Sequence, residues 1–298
     1  MIPASRPGAT DSPLSSTWLA LASLIRLSNQ TGTLLLLFPT LWSLFLASKG
    51  WPPYGLLFLF MFGAFVMRSA GVVMNDLADR SLDRNVRRTQ DRPLAAGTLT
   101  PVQASIVLLA FLGIACSLLW FLNSLAIWLS PIALMLAGIY PFSKRYLHIP
   151  QIVLGIAFGW GVILAWAAIK NDLEVSTWLL FTATVCWAVS YDTIYAIQDM
   201  EDDRRIGVKS SAIFFGQYLW VGVGVSELIM VACLSVIGFV NQLTVSYFCA
   251  LGLVTLIMGN QVLRLGRFVP PQQAFSMFQQ HCWIGGVILF GIIFGVSQ

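Results

Sequence analysis

Apolar stretches of roughly 20 residues recur along almost the whole chain, and no other feature of the sequence constrains its fold as strongly. A bilayer core about 30 Å thick takes roughly 20 residues of helix to cross. Read on that basis, spans fall at Thr31 to Ser48, Tyr54 to Val73, Val102 to Leu122, Leu125 to Ile139, Ile152 to Ala168, Trp178 to Ile197, Trp220 to Val240, Ser246 to Leu263 and Trp283 to Val296. The apolar runs are continuous rather than alternating, which excludes a closed barrel. Composition agrees. Of 298 residues, 57% are hydrophobic and 10% charged, more apolar surface than a soluble domain of this length buries.

The expectation is an all-α integral membrane protein of nine transmembrane helices, a single domain over 18–298 behind a disordered tail at 1–17. The tail is rich in Ser, Pro and Thr, carries Arg6 and Asp11, and lacks the apolar core of a cleavable signal. The tight link at Asn123 and Ser124 predicts that the third and fourth spans pair as a helical hairpin. The five cysteines (Cys116, Cys186, Cys233, Cys249, Cys282) stand singly in or beside apolar stretches and read as buried packing thiols.

The net charge of +4 matters less than its placement. Odd-numbered loops hold Lys49 and Lys170; the N-terminal side and even-numbered loops hold the other basic residues, from Arg6 and Arg26 to Arg264 and Arg267. By the positive-inside rule the N-terminus and the even loops face the cytoplasm or its equivalent, in a cell or organelle inner membrane. The partner this composition implies is the lipid bilayer. Nothing in it calls for nucleic acid or an obligatory protein partner.

Two acidic segments interrupt the pattern. The first follows the second span and runs Asn75-Asp76-Leu77-Ala78-Asp79-Arg80-Ser81-Leu82-Asp83, then through Arg87, Arg88 and Arg92-Pro93. Steps of four turn a helix by only about 40°, so Asn75, Asp79 and Asp83 line one face of a helix continuing out of the membrane. The second segment follows the sixth span and repeats the step at Asp199 and Asp203, while Asp192 and Tyr195 carry that face back into the membrane. Asn75 and Asp199 each follow an even-numbered span, so both segments emerge on one side. This predicts two pseudo-repeated four-helix halves plus a ninth helix around a central cavity.

Opposed carboxylates repel, and ionised groups beside a bilayer are costly without partners. Something positive has to sit between them. Hard oxygen ligands select Mg²⁺ or Ca²⁺, and Mg²⁺ typically joins a few carboxylates to phosphate oxygens. A Mg²⁺-bridged diphosphate satisfies both segments, with nearby Arg and Lys neutralising the remaining charge. A charge run alone usually marks a solvated face; two runs with the same spacing on one side argue against that simpler reading.

Three further features surround these segments. In Tyr140-Pro141-Phe142-Ser143-Lys144-Arg145, Pro141 is expected to end a helix and present Lys144 and Arg145 on the acidic side. Tyr140 faces the same way as Lys144 if the helix extends that far. Arg68 lies inside the second span, seven residues before Asn75, and needs an anion there. Asp192 holds the matching place before Asp199, and a substrate carboxylate is the compatible alternative. Arg26 reads as a snorkelling anchor as readily as a functional group. Glu227 reads as a helix–helix hydrogen bond, and His148 and His281 as interfacial residues.

The residues also resemble a known family. Asn75 to Asp83 matches the first signature of the UbiA superfamily of membrane prenyltransferases, N-D-x-x-D-x-x-x-D, and Tyr195 to Ser210 matches the second. Tyr-Pro-Phe-Ser-Lys-Arg at 140–145 and Arg-Pro-Leu-Ala-Ala-Gly at 92–97 are similar to the subgroup that prenylates 4-hydroxybenzoate. Where that family often has Lys-Pro after its first-helix Arg, this chain has Asn29-Gln30. The resemblance implies transfer of a polyprenyl chain from a polyprenyl diphosphate to the ring carbon ortho to the hydroxyl of 4-hydroxybenzoate, in prenylquinone synthesis. It implies that Asn75, Asp79, Asp83, Asp199 and Asp203 bind Mg²⁺ and through it the diphosphate, with Lys144 and Arg92 contacting the diphosphate directly. Arg68 and Tyr140 would lie near the acceptor and the ionising carbon, and Asp192 would organise that wall. A different acceptor (homogentisate, a chlorophyll precursor or haem) is the alternative within the family. A cation-coupled transporter is the alternative outside it, disfavoured because transporter carboxylates sit at the bilayer midplane.

Overall fold

The computed structural model describes residues 13–296 and, among them, consists of helices and their connections. Short elements flank long ones: α1 (Pro13–Leu24), α2 (Thr31–Ser48), α3 (Tyr54–Asp83), α4 (Pro93–Ala96), α5 (Pro101–Leu118), α6 (Ser124–Tyr146), α7 (Gln151–Lys170), α8 (Val175–Ala196), α9 (Met200–Ile206), α10 (Ser211–Phe215), α11 (Leu219–Val240), α12 (Val245–Leu265) and α13 (Pro271–Gly295). Eight are long and apolar enough to span a bilayer, and α8 with the α9 bent from it makes a ninth. The first span matches its expected limits residue for residue. Of the expected tail, 1–12 lie outside the described residues, while Pro13 to Thr17 belong to α1.

Local chemistry sets many of the boundaries. Thr100 and Gln103 form a reciprocal capping box that starts α5. The Asn123 side chain accepts from the Ala126 amide to start α6. Gly207 closes α9 at a φ of 77°, a left-handed conformation that glycine adopts without steric cost.

Packing follows chain order around a ring. α2 packs on α3 and α7, α7 on α8, α8 on α11, α11 on α12, α12 on α13, and α13 returns to α2 and α8. Lipid offers helices little hydrophobic incentive to associate, so close approach through small residues takes over. On α7, Gly155 and Gly159 admit the α8 backbone at Val185 and the Phe181 ring; a Cβ at Gly155 would lie 2.8 Å from the Val185 carbonyl oxygen. The resulting core joins α2 to the C-terminal half through buried Trp42, Trp166 and Trp187, and the Trp42 indole donates to the Gly285 carbonyl at 3.0 Å.

The two halves correspond in part. α3 packs on α5 as α8 packs on α11, and α2 on α3 as α7 on α8. The expected hairpin of the third and fourth spans does not form: α11 packs on α12, but α5 and α6 barely touch, with α5 held by α3 and α6 by α7. The faces they would have shared line a cavity instead, through Leu112, Ala115 and Leu118 on α5 and Ser130, Ala133 and Ala137 on α6.

Three other expectations are corrected. Pro141 does not end its helix, because α6 runs on to Tyr146. Proline forfeits one backbone bond, and a transmembrane helix absorbs that loss when the ladder resumes beyond it. His281 is not interfacial: α13 begins at Pro271, twelve residues before the expected Trp283, because Gln272, Gln273, Gln279 and Gln280 disguise its first half. His281 is fully buried, its Nδ1 accepting from the Trp187 indole at 2.9 Å. None of the cysteines is fully buried, and Cys116 and Cys249 are exposed. An apolar neighbourhood does not mark burial where the surface itself faces lipid. Glu227 behaves as expected, accepting from Ser190 Oγ at 2.8 Å between α11 and α8.

Candidate functional site

The first acidic segment lies on α3, which continues unbroken from its apolar stretch to Asp83. The helical step of four therefore holds, and Asn75, Asp79 and Asp83 follow one face. Asp79 is 0% exposed, covered by Lys144 from α6, whose ammonium pairs with Asp79 Oδ2. Because α6 extends through Tyr146, Tyr140 and Lys144 share a face, as their spacing requires. Asp83 accepts from Arg92 at 3.0 Å.

Asp76 stands about 100° round the helix from Asn75. It is 1% exposed and accepts from Arg26 at 2.8 Å and Arg92 at 3.1 Å. Arg26 is therefore held in an ion pair rather than free to snorkel. Sequence spacing did not select Asp76 because it breaks the step of four. The available signal was the cost of one more acid at a membrane boundary, which demands a cationic partner.

The second segment is built differently. Between Ala196 and Met200 the chain turns by 84°, so α9 leaves the line of α8. Asp199 sits at the bend and takes both ends of the Arg88 guanidinium, with Nε to Oδ1 at 2.8 Å. Arg88 also donates to Tyr195 Oη at 2.8 Å and lies over that ring, 5.1 Å from its centroid. Asp203 is half-buried, and its carboxyl is pushed up to about 7 by burial first and by the neighbouring Asp199 charge second. Arg88 was named with the first segment, but its pairing with Asp199 was not legible, because it lies in an irregular loop where no helical period marks a face.

Backbone and side-chain contacts clip the segments together. Asp202 accepts from the Arg87 amide at 3.0 Å, and Arg205 donates to the Asn85 carbonyl at 2.9 Å. Arg145 donates to the Ala78 carbonyl at 2.8 Å, and Lys209 to the Tyr146 carbonyl at 2.9 Å. The end of α6 thus touches both halves.

Two cavities meet here. A charged cleft of about 180 Å³ is lined by Asn75, Asp83, Arg88, Arg92, Lys144, Asp199 and Asp203. A larger cavity of about 820 Å³ runs into the apolar interior past Arg68, Gly71, Leu112, Leu134 and Phe158. Asn75, Arg88, Arg92, Tyr140, Asp192 and Tyr195 border both. All ten residues singled out in the sequence line one or other space or, like Asp79, lie directly beneath a residue that does.

They are not gathered into a cage. Among the described residues, no group of three or more His, Cys, Asp or Glu stands at metal-ligand spacing. The positive charge between the acidic segments is protein: Lys144, Arg92, Arg26 and Arg88. Arg68 and Asp192 face the same cavity, but among the described residues no ion pair joins them.

One observation tests whether a hard cation suits this site. Asp79 Oδ1 is buried with no hydrogen-bond partner, although Oδ2 of the same carboxylate is paired. An unsatisfied buried carboxylate oxygen beside Asn75 and Asp83 is the donor chemistry Mg²⁺ takes. The residues present fit such an ion shared with phosphate oxygens.

The comparisons with known proteins agree with this geometry. The profile of the UbiA prenyltransferase family matches residues 36–294. A 4-hydroxybenzoate octaprenyltransferase of Tolumonas auensis is 45% identical over 282 residues, covering 95% of this chain and 98% of that protein. Another, from Pasteurella multocida, is 45% identical over 283 residues, covering 94% and 96%. Among solved structures, the apo form of a UbiA homolog from Aeropyrum pernix K1 superposes with a TM-score of 0.77 at 24% identity, covering 89% of this chain and 98% of that one. A UbiA homolog from Archaeoglobus fulgidus bound to GPP and Mg²⁺ gives 0.67 at 15% identity, covering 92% and 99%.

Proposed function

This chain belongs to the UbiA prenyltransferase family, and from that premise we propose that it transfers the chain of a polyprenyl diphosphate to the carbon ortho to the hydroxyl of 4-hydroxybenzoate. It is an integral, multi-pass membrane enzyme of ubiquinone-type quinone synthesis. The observation that carries the reading is the adjacency of the two cavities: a charged cleft suited to a diphosphate shares six lining residues with a largely apolar space suited to its tail.

In this reading Asn75, Asp79, Asp83, Asp199 and Asp203 hold Mg²⁺ at the cleft. The ion supplies Lewis-acid stabilisation of the charge that builds on the leaving diphosphate. Lys144 and Arg92 exchange their carboxylate partners for phosphate oxygens, so the cations that neutralise the acidic side chains of the cleft become the donors that bind the substrate. Arg88 closes the cleft by reaching across to the other half, where it holds Asp199 and Tyr195. The apolar tail runs into the larger cavity toward α5 and α6.

The Arg68 guanidinium takes the acceptor carboxylate, and Asp192 and Tyr140 fix the opposite wall. The Tyr140 and Tyr195 rings offer their faces to the allylic cation as the carbon–oxygen bond breaks. The electron-rich ring carbon captures that cation and then sheds its proton. The apolar lining keeps out water that would otherwise hydrolyse the donor.

The test uses membranes containing the protein, Mg²⁺, octaprenyl diphosphate and labelled 4-hydroxybenzoate. A prenylated product that disappears with EDTA is expected. Full activity in EDTA would remove the metal from the scheme, and product only with another aromatic acceptor would reassign the substrate.

A further inference from the structure

Gly32 is the second residue of α2, with an ordinary helical backbone. No left-handed turn requires a glycine there, and helix propensity disfavours it. The space it leaves is nonetheless filled. A Cβ at residue 32 would lie 2.5 Å from Arg68 Nη2, 2.6 Å from Nε and 2.9 Å from Cζ. The Arg68 guanidinium is laid against the Gly32 α-carbon, in a place that no side chain at 32 would allow.

Arg68 has little else to hold it. Among the described residues it forms no hydrogen bond or ion pair; Tyr140, Tyr191 and Tyr195 line the same cavity. Its orientation in the large cavity is therefore set by shape, and the missing side chain of Gly32 is part of that shape.

We propose that Gly32 is a positioning residue for the acceptor: its missing side chain seats the Arg68 guanidinium where it meets the acceptor carboxylate. The inference rests on the assignment of Arg68 as the carboxylate-binding group. The atoms that would clash are the far end of a flexible side chain. A methyl group at 32 therefore displaces the guanidinium without disturbing the helix, and Gly32→Ala folds normally while binding acceptor poorly.

The experiment is a double-mutant cycle in membranes, measuring KM separately for 4-hydroxybenzoate and octaprenyl diphosphate in Gly32→Ala, Arg68→Ala and the double variant. Gly32→Ala is expected to raise the acceptor KM about tenfold, the scale expected when a substrate gives up one charge-assisted hydrogen bond, and to move the donor KM less than about twofold. Added to Arg68→Ala, the same change should do almost nothing, because the group it displaces has gone. Equal effects of Gly32→Ala in both backgrounds, or on both substrates, would overturn the proposal while leaving Arg68 as the acceptor group. If Arg68→Ala itself spares the acceptor KM, the assignment of Arg68 falls and the proposal with it.

Discussion

The two acidic segments share a spacing of four residues and differ in almost everything else. Asp79 and Asp83 ride on an unbroken 30-residue helix, buried and each locked to a cation from its own half of the chain. Asp199 and Asp203 stand at and beyond an 84° bend, more open to water, and Asp199 is tied to a cation from the opposite half. One segment is preformed by its helix. The other is brought into place by contacts that cross the molecule. The same motif can thus be built once for rigidity and once for adjustment, and Asp79 of the first is the acid most completely removed from solvent.

This contrast makes graded predictions. Asp79→Asn should lower turnover by roughly 10³-fold, because it removes a buried metal ligand and the anchor of Lys144 together. Activity above about a tenth of normal would show that the rigid segment is not the principal metal-binding half. Asp199→Asn should cost less, roughly 10²-fold, since its segment can adjust around the loss; an equal cost would erase the distinction.

Protonation separates the halves further. Burial and Asp199 raise the Asp203 carboxyl to about 7, so it is mostly neutral at pH 6 and must ionise before it can ligate a cation. The Mg²⁺ concentration giving half-maximal rate should therefore fall as pH rises from about 6 to about 8, and Asp203→Asn should flatten that dependence. An unchanged slope would show that another group titrates. Arg88→Ala should raise the donor KM about tenfold with little change for the acceptor. The smallest effect belongs to Arg205→Ala, whose side chain is 59% exposed where it pairs with Asp202; a change within about twofold is expected in steady-state assays.

Much of this was legible in the sequence because membranes simplify the problem. The bilayer forces helices of near-constant length, so Thr31 to Ser48 could be bounded from hydropathy alone. The step of four from Asn75 to Asp83 could be read because α3 does continue as a helix. Legibility failed where partners are distant in sequence. Arg88 meets Asp199 across 111 residues from an irregular loop. Nothing in residues 101–146 announces that α5 and α6 stand apart, because lipid-facing, cavity-facing and packed surfaces are all apolar. The first half of α13 was missed for the opposite reason. Gln272, Gln273 and Gln279 lie on its exposed side and lower the local hydropathy, while the same turns bury Ala274, Met277 and Phe278 against the bundle and Gln280 accepts from Gln261 at 2.9 Å.

The unpartnered oxygen of Asp79 carries a consequence for handling as well as for chemistry. A buried acceptor without a donor typically costs about 1–3 kcal/mol, a cost that a cation bound with diphosphate would offset. Whatever offsets it binds the folded chain and not the unfolded one, and so shifts the melting equilibrium by mass action. Heat resistance in detergent then becomes a ligand meter: it should climb with Mg²⁺ and diphosphate together, and fall back when a chelator strips the site.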